Sequence, residues 1–186
     1  MKKIAIFASG SGSNAENIFR YFQNKRGVEI QKVLTNNPKA GVIGRFHALG
    51  MDVKVFTRSM FQEESFLEML DDMDLVVLAG FLWLVPAYLI KAFPNRIINI
   101  HPALLPNYGG KGMHGMHVHE AVIQNKEKET GITIHFVNEE YDKGEIIMQK
   151  RFDIIQGDTP QSIADKIHAL EYEWLPKAIE MVLDEK

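Results

Sequence analysis

The chain has no cysteine among its 186 residues. This absence excludes disulfides, thiolate nucleophiles and cysteine-ligated zinc, and it is consistent with a reducing compartment. The chain also lacks an apolar run of transmembrane length, and its first residues are typical of a strand and a glycine-rich turn, not of a signal peptide. We therefore expect a cytoplasmic protein that has no membrane partner.

An excess of positive charge is also missing, because 21 Lys and Arg stand against 24 Asp and Glu, which gives a net charge of −3. Proteins that bind nucleic acid or anionic membranes are usually basic, so no nucleic-acid partner is expected. The 46% of hydrophobic and 24% of charged residues are ordinary for a globular protein. The length fits one domain, and we predict that residues 1–186 form it.

Short apolar segments alternate with amphipathic segments along the chain. Strands are predicted at residues 3–8, 29–35, 53–56, 74–79, 96–100, 130–137 and 145–155. Helices are predicted at 15–22, 41–49, 59–70, from 86, at 118–124, and from Pro160 onward, where Pro176 should kink or interrupt the last one. This alternation predicts an α/β fold with a doubly wound, mostly parallel sheet and an antiparallel C-terminal strand.

A loop of small residues, SGSGSN at 9–14, joins the first strand to an amphipathic helix. In such a loop the glycines let the backbone come close to an anion, and the N–H groups and the helix dipole face it. The loop matches neither standard nucleotide fingerprint and holds no lysine, so it predicts a monophosphate site. A plain turn that ends in Ser13 or Asn14 as the helix cap is the open alternative.

The fifth predicted strand ends in Asn99-Ile100-His101, just before Pro102. Side chains alternate along a strand, so Asn99 and His101 should point to the same side at its carboxyl end. Open α/β sheets bind their ligands at this edge. An amide can donate to an oxyanion and an imidazole can move a proton, which makes the two residues a candidate catalytic pair. A purely structural turn remains the alternative.

Two loops have unusual compositions. Residues 80–86 (GFLWLVP) are apolar, which indicates either a buried segment or the wall of a pocket for a flat organic ligand. Residues 107–115 are rich in glycine, and His114, His117 and His119 lie near the end of this long loop. No carboxylate or cysteine completes an evident ligand set around these histidines, so no metal site is predicted.

Three stretches together resemble the phosphoribosylglycinamide formyltransferases, the folate-dependent transformylases of purine synthesis. They are SGSGSN at 9–14, AGFLWLVP at 79–86, and INIHPALLP at 98–106 with HFVNEEYDKGEII at 135–147. The resemblance implies a Rossmann-like formyltransferase fold. It also implies transfer of a formyl group from 10-formyltetrahydrofolate, a co-substrate, to the amine of 5′-phosphoribosylglycinamide, without a metal. The protein would be a monomer or a weak homodimer that acts on these small molecules in de novo purine biosynthesis.

The resemblance also implies roles for individual residues. The catalytic residues would be Asn99, His101 and Asp142. The ribonucleotide would be bound by Gly12, Ser13, Asn14, His168 and Glu171. The folate would be bound by Leu82, Trp83, Leu84, Val85, Asn99, Asn138, Glu139, Glu140, Tyr141 and Asp142. The N-terminal half would thus hold the phosphate, and the C-terminal half would hold the folate and carry out catalysis.

The chain departs from the family pattern in two places. Some members have an arginine that meets the folate where residues 61–65 of this chain have none, and the loop at 109–115 is longer than in several members. If the fold brings Asp142 to His101, we expect the carboxylate to raise the pKa of the imidazole and to keep more of it charged.

Three rival functions stay open at this point. Formyltetrahydrofolate deformylase and methionyl-tRNA formyltransferase resemble the same Asn-His-Asp core. The first usually has an N-terminal regulatory domain, and the second has an extra C-terminal domain and a basic surface, whereas this chain begins at a strand and is acidic. The transferase is therefore the expected function. A non-catalytic nucleotide-binding module would need only the loop at 9–14.

Overall fold

The computed structural model describes residues 1–184. Its strands are β1 (Lys2–Phe7), β2 (Val28–Thr35), β3 (Val53–Val55), β4 (Leu75–Leu78), β5 (Ile97–His101), β6 (Glu129–Phe136) and β7 (Ile146–Asp153). Its helices are α1 (Ser13–Phe22), α2 (Gly41–His47), α3 (Arg58–Gln62), a 3-10 helix (Glu64–Leu70), α4 (Ala87–Ala92), α5 (Met116–Gln124) and α6 (Pro160–Asp184). The strand order is β3-β2-β1-β4-β5-β6-β7, and the predicted α/β class with a mostly parallel sheet is confirmed.

The chain divides into two compact units, Met1–Asn99 and a second unit that starts at Ile100. Strand β5 begins in the first unit and ends in the second. The single domain expected from the sequence stays a prediction, and its last two residues, 185–186, lie outside the described part of the chain. Among the described helices, none is long and apolar enough to cross a membrane.

In the first unit, β1 lies between β2 and β4, and all three strands are parallel. The residues of β1 from Ile4 to Phe7 have no exposed surface. Parallel sheets are normally covered on both faces, which explains why the sequence of this strand is apolar without alternation. Because β1 and β4 run in the same direction, the loops that follow them emerge at the same edge of the sheet.

The single helix predicted at 59–70 is divided in the structure. Glu63 has extended backbone angles (φ −99°, ψ 136°), and it separates α3 from the 3-10 helix. Phe61 and Phe66 are five residues apart, so a straight α-helix would point them in different directions. The break lets both rings enter one buried aromatic cluster, in which their centroids lie 5.1 Å apart.

In the second unit, β6 and β7 form the predicted antiparallel pair, with Ile132 opposite Lys150. The central residues of β6 are buried on both faces, although the sequence alternates as a half-exposed strand would. Helix α6 continues through Pro176, so the predicted interruption is wrong, whereas the alternative of a kink stays a prediction. A proline inside a helix removes one backbone hydrogen bond, which destabilises the helix, whereas the burial of the Pro176 side chain stabilises it.

Candidate active site

A buried histidine and a carboxylate meet in the second unit. The Nδ1 atom of His101, the last residue of β5, lies 3.5 Å from Oδ2 of Asp142. Asp142 belongs to the turn between β6 and β7 and has a positive φ of 56°, a region that Asp tolerates better than most residues. Only 5% of the His101 side chain and 11% of the Asp142 side chain are exposed. The two residues, about forty apart in sequence, are thus brought together as predicted.

Asp142 has further partners. The backbone N–H of Gly110 donates to Oδ2 at 2.9 Å, and Nε2 of His135 lies 3.6 Å from Oδ1. Burial would raise the pKa of Asp142, but His135, His101 and the Gly110 N–H together outweigh burial and lower it. Asp142 is therefore an ionised carboxylate at neutral pH.

The other ring nitrogen of His101 carries an N–H group that donates to the backbone. Its Nε2 lies 2.7 Å from the carbonyl oxygen of Tyr108, which can only accept, so the proton sits on Nε2. Burial lowers the pKa of His101 below its ordinary value of 6.5, and His135 acts in the same direction. Asp142 and the Tyr108 carbonyl raise the pKa without offsetting burial. Asp142 therefore acts on the pKa of His101 in the direction expected from the sequence, but desolvation outweighs the carboxylate, so the net shift of this pKa is downward.

Tyr108 is itself held in place. It has a positive φ of 56°, and its hydroxyl donates to Glu127 at 2.6 Å and accepts from Asn125 at 2.9 Å. The glycine-rich loop at 107–115 is therefore tied to the end of α5 at one point, and its backbone supplies a partner to both His101 and Asp142.

The segment that follows His101 is fixed by side chains from the β6–β7 pair. The Thr133 hydroxyl donates to the Ala103 carbonyl at 2.7 Å and accepts the Leu105 N–H at 3.0 Å. The Gln149 side chain donates to the Leu105 carbonyl at 2.9 Å. These bonds satisfy buried backbone groups that the two prolines of this segment leave outside a strand ladder.

Asn99 lies two residues before His101 on β5 and is partly buried. It pairs with Leu78 of β4 in the parallel register of the first unit. The strand ends at His101, so both polar residues occupy its carboxyl-terminal end, as predicted.

The predicted folate loop at 138–142 is shaped by its first residue. The Asn138 side chain accepts the Glu140 N–H at 3.0 Å and donates to the Lys143 carbonyl at 3.1 Å. Glu139 and Glu140 are exposed, whereas Tyr141 and Asp142 are partly buried, so the turn points Asp142 inward. A Cβ on Gly144 would overlap the Phe136 carbonyl oxygen, which explains the glycine two residues after Asp142.

His168 and Glu171 form a pair on α6. Their Nδ1 and Oε2 atoms are 3.2 Å apart, and Glu171 is buried while His168 is exposed. The hydrogen bond from His168 to Glu171 raises the pKa of His168, and its ring packs against Tyr172 in a tilted arrangement, with centroids 4.5 Å apart. The two predicted ribonucleotide-binding residues of this helix are therefore in contact.

From the sequence, His119 was weighed only as part of a metal site, and His135 was not singled out. His119 is buried in α5, and among the described residues its Nδ1 has no hydrogen-bond partner. Burial lowers its pKa, Glu171 raises it and His101 lowers it, so its ring lies in the electric field of both groups. A histidine at a buried position of an otherwise apolar helix face was the available signal. For His135, the signal was a histidine within a β-strand that leads to the Asp142 turn.

The loop at 9–14 belongs to the first unit. Gly12 caps α1 with left-handed backbone angles (φ 76°, ψ 17°), and the Gly12 carbonyl accepts the Glu16 N–H at 2.9 Å. Ser13 and Asn14 therefore lie inside the helix, and the alternative in which one of them is the cap is wrong. The cap contributes no side-chain hydrogen bond. The positive end of the dipole of α1 favours an anion at this position.

The apolar loop at 80–86 is half buried. Phe81 and Val85 are buried, but 51% of Leu82 and 39% of Leu84 are exposed. Trp83 contacts the rings of Phe56, Phe61 and Phe81 at centroid distances of 6.0 to 6.2 Å, and the Arg58 guanidinium lies 5.2 Å from its ring. The loop is thus both an extension of the core and an exposed apolar surface.

Ser9 connects this apolar loop to the loop after β1. The Ser9 hydroxyl accepts the Leu82 N–H at 3.1 Å, and the Ser9 N–H donates to the Gly80 carbonyl at 3.0 Å. The two predicted ligand-binding loops of the first unit are therefore held side by side.

The histidines near the glycine-rich loop do not form a metal cluster. His117 contacts Glu120 at 3.6 Å with both side chains largely exposed, and the rings of His114 and His117 are 6.0 Å apart. Within residues 1–184, no group of three or more His, Cys, Asp or Glu is arranged to hold a metal ion.

A family model described as formyl transferase matches residues 2–179 of this chain. The chain therefore belongs to the formyl transferase family, and the resemblance inferred from its sequence is confirmed. It is 36% identical over 191 residues to the phosphoribosylglycinamide formyltransferase of Bacillus subtilis (strain 168), a match that covers 98% of this chain and 95% of that protein. It superimposes on the crystal structure of the phosphoribosylglycinamide formyltransferase from Bacillus halodurans with a TM-score of 0.87, at 35% identity, over 98% of this chain and 95% of that chain.

A plant relative matches the whole of this chain but is itself longer. The chloroplastic phosphoribosylglycinamide formyltransferase of Arabidopsis thaliana is 37% identical over 194 residues, which cover all of this chain and 66% of that protein. This chain thus spans just under two thirds of the plant protein.

Proposed function

We propose that this protein transfers a formyl group from 10-formyltetrahydrofolate to the amine of 5′-phosphoribosylglycinamide, which gives the formylglycinamide ribonucleotide and tetrahydrofolate in purine biosynthesis. The observation that carries the proposal is the buried His101–Asp142 pair at the end of β5, in a member of the formyl transferase family. Similarity to proteins named for this reaction supports it over nearly the whole chain.

Catalysis is assigned to Asn99, His101 and Asp142. The amine nitrogen attacks the formyl carbon, a C–N bond forms, and the carbonyl oxygen becomes an oxyanion. The Asn99 amide donates to this oxyanion. The bond from the formyl carbon to the folate nitrogen then breaks, its electron pair goes to that nitrogen, and a proton must follow.

His101 moves this proton. Because its pKa is lowered, the ring is neutral at neutral pH and can accept the proton that the attacking amine loses. The resulting imidazolium faces the Asp142 carboxylate, which stabilises its charge, and the ring then gives a proton to the leaving folate nitrogen. Atoms and charge balance, because one proton passes from amine to folate. The Nε2 proton is available once the substrate replaces the Tyr108 carbonyl as its acceptor.

The ribonucleotide phosphate is assigned to the backbone of Gly12, Ser13 and Asn14, at the start of α1. Glu171 is assigned to the same substrate, since its buried carboxylate can accept hydrogen bonds from the N–H or O–H groups of a ligand. His168 holds Glu171 in position through its hydrogen bond.

The pterin of the folate is assigned to the apolar segment Leu82, Trp83, Leu84 and Val85, and to the turn Asn138, Glu139, Glu140, Tyr141 and Asp142, with Asn99. The exposed Leu82 and Leu84 give an aromatic ligand an apolar surface. A reaction without a metal, a cytoplasmic location and a monomer or weak homodimer stay predictions.

An assay for tetrahydrofolate formation, run with and without the ribonucleotide, tests the proposal. Product that requires the ribonucleotide supports the transferase. Product formed equally well without it supports a deformylase, and binding of the ribonucleotide without product supports a non-catalytic binding module.

A further inference from the structure

Arg45 of α2 connects two parts of the first unit that are far apart in sequence. Its Nε donates to the Ser11 carbonyl at 3.0 Å, in the loop after β1. Its Nη1 also forms a short contact with the Glu16 carboxylate in the first turn of α1. No role assigned above uses this residue.

The contact fixes the direction of a peptide group. In a trans peptide, the carbonyl of Ser11 and the N–H of Gly12 point to opposite sides. The Gly10 carbonyl is held in the same way, because it accepts the Val42 N–H from α2 at 3.2 Å. Helix α2 thus holds two successive carbonyls on its own side, which directs the N–H groups of Ser11 and Gly12 to the other side.

Glu16 holds Arg45 in position. Its side chain is only 17% exposed, and hydrogen bonds from Arg45 and Arg20 lower its pKa, so it is ionised at neutral pH. Arg20 binds the same carboxylate at 2.7 Å, and within residues 1–184 its hydrogen bonds and ion pair go to Glu16 and not to the loop. Arg20 therefore offers a matched control for Arg45.

We propose that Arg45, held by Glu16, is a positioning residue for the phosphate-binding loop: it fixes the Ser11–Gly12 peptide so that the Gly12 N–H donates to the substrate phosphate. This inference rests on the proposed function.

Steady-state kinetics of Arg45→Ala with two substrates test the proposal. For the phosphorylated ribonucleotide, we expect KM to rise about tenfold, the effect of losing one charge-assisted hydrogen bond. The kcat value and the KM for formyltetrahydrofolate should change less than about twofold. For the glycinamide riboside, which lacks the phosphate, Arg45→Ala and the unmodified protein should have equal kcat/KM. Equal losses with both substrates would show a merely structural role and overturn the proposal, as would an unchanged KM.

Three further variants sharpen the test. Arg20→Ala should leave the ribonucleotide KM unchanged. Arg45→Lys should keep most of the defect, because lysine keeps the charge but lacks the fork that reaches Ser11 and Glu16 together. Glu16→Gln should raise KM less than Arg45→Ala, and the double variant should be no worse than Arg45→Ala alone. Full recovery in Arg45→Lys would mean that only the charge matters, and that result would contradict positioning.

A binding measurement separates this inference from the proposed activity. Inorganic phosphate is titrated into the protein while the amide resonance of Gly12 is followed by NMR. We expect a shift that saturates, and an about tenfold weaker apparent affinity in Arg45→Ala. If the protein fails to turn over the ribonucleotide but shows this pattern, the proposed function fails and the positioning role stands. If the Gly12 amide does not respond, the positioning role is wrong whatever the activity.

Discussion

The loop after β1 and the turn between β6 and β7 each carry candidate chemistry, but they use different parts of the chain. The loop offers backbone N–H groups, and its residues Gly10 and Ser11 are exposed. The turn offers the side chain of Asp142, which is almost buried and is surrounded by His101, His135 and the Gly110 N–H. A backbone site of this kind depends on conformation, whereas a buried side-chain site depends on charge and desolvation.

The comparison implies that the loop and the turn should respond differently to amino-acid substitutions. At the loop, a substitution that keeps the backbone angles should be tolerated whatever its chemistry. At the turn, a substitution that keeps the shape but removes the charge should be damaging, because the interactions of a buried charge are weakly screened by solvent.

Asp142→Asn removes the charge with almost no change of shape. We expect kcat to fall about 10²–10⁴-fold, the range for a residue that supports proton transfer, with much smaller changes in KM. The fold should survive, because asparagine adopts the positive φ of this position well. Steady-state kinetics and a thermal melt measure both effects.

The double variant with His101→Ala extends this prediction. If the two residues act as a unit, the combined loss should be close to that of the worse single variant. Losses that multiply would mean that Asp142 acts independently of His101.

Gly12→Ala tests the backbone site, and Gly10→Ala is its matched control. A Cβ on Gly12 would lie 2.5 Å from the Val42 side chain and 2.8 Å from its Cα, at a φ of 76°. A non-glycine residue with this conformation costs about 1–2 kcal/mol. We expect the ribonucleotide KM to rise about tenfold, with folate-analogue binding intact.

A Cβ on Gly10 meets nothing within 4 Å, so Gly10→Ala should have little effect. Equal damage from both substitutions, or equal loss of ribonucleotide and folate binding in Gly12→Ala, would contradict a phosphate site that is built from the Gly12 backbone.

Much of the difference between the loop after β1 and the turn between β6 and β7 could be predicted from the sequence. The apolar strands, the small-residue loop before α1 and the polar pair at the end of β5 follow from local patterns of two to six residues. Helix α1 and the antiparallel β6–β7 pair were predicted within two residues of their bounds. The partnership of His101 and Asp142 was inferred from the family resemblance, since no local pattern connects residues this far apart.

Other features of the two sites could not be predicted, because they depend on contacts between residues that are far apart in the sequence. The alternation of β6 predicts a half-exposed strand, so His135 did not suggest a buried partner of Asp142. The lowered pKa of His101 depends on how completely the fold removes water, which the presence of a nearby carboxylate does not reveal. Similarly, the bond between Arg45 and Ser11 joins residues 34 apart through a loop carbonyl.

Trp83 allows a test of the apolar loop by fluorescence. The chain contains only two tryptophans, and the second can be removed by Trp174→Phe. Trp83 lies against three aromatic rings while Leu82 and Leu84 beside it are exposed, so a pterin bound there should change its emission. We expect a folate analogue to quench Trp83 until the site is saturated. An unchanged signal at saturation would exclude this loop from the folate site.

The smallest expected effect concerns the titration of the histidines. Burial lowers the pKa of His101 and of His119 below 6.5, whereas Glu171 raises that of His168 above it. NMR of the imidazole nitrogens should show this order, and Asp142→Asn should lower the pKa of His101 further, because the carboxylate raises it. An unchanged His101 titration in that variant would mean that the two groups do not interact.

The same shifts fix the sign of the pH dependence of stability. Below pH 6.5 the unfolded chain binds protons at His101 and His119 that the folded chain does not bind, so acidification through this range should lower the free energy of unfolding. His168 acts in the opposite direction, because its raised pKa means that its protonated form stabilises the folded chain, and this contribution to the free energy of unfolding is lost as the pH rises above 6.5.

His119→Gln should therefore reduce the loss of stability between pH 7 and about pH 5, measured by urea unfolding. The same change at the largely exposed His117 of α5 is the control, and it should leave the slope unchanged. If both variants give the slope of the unmodified protein, the burial of His119 does not contribute to the pH dependence.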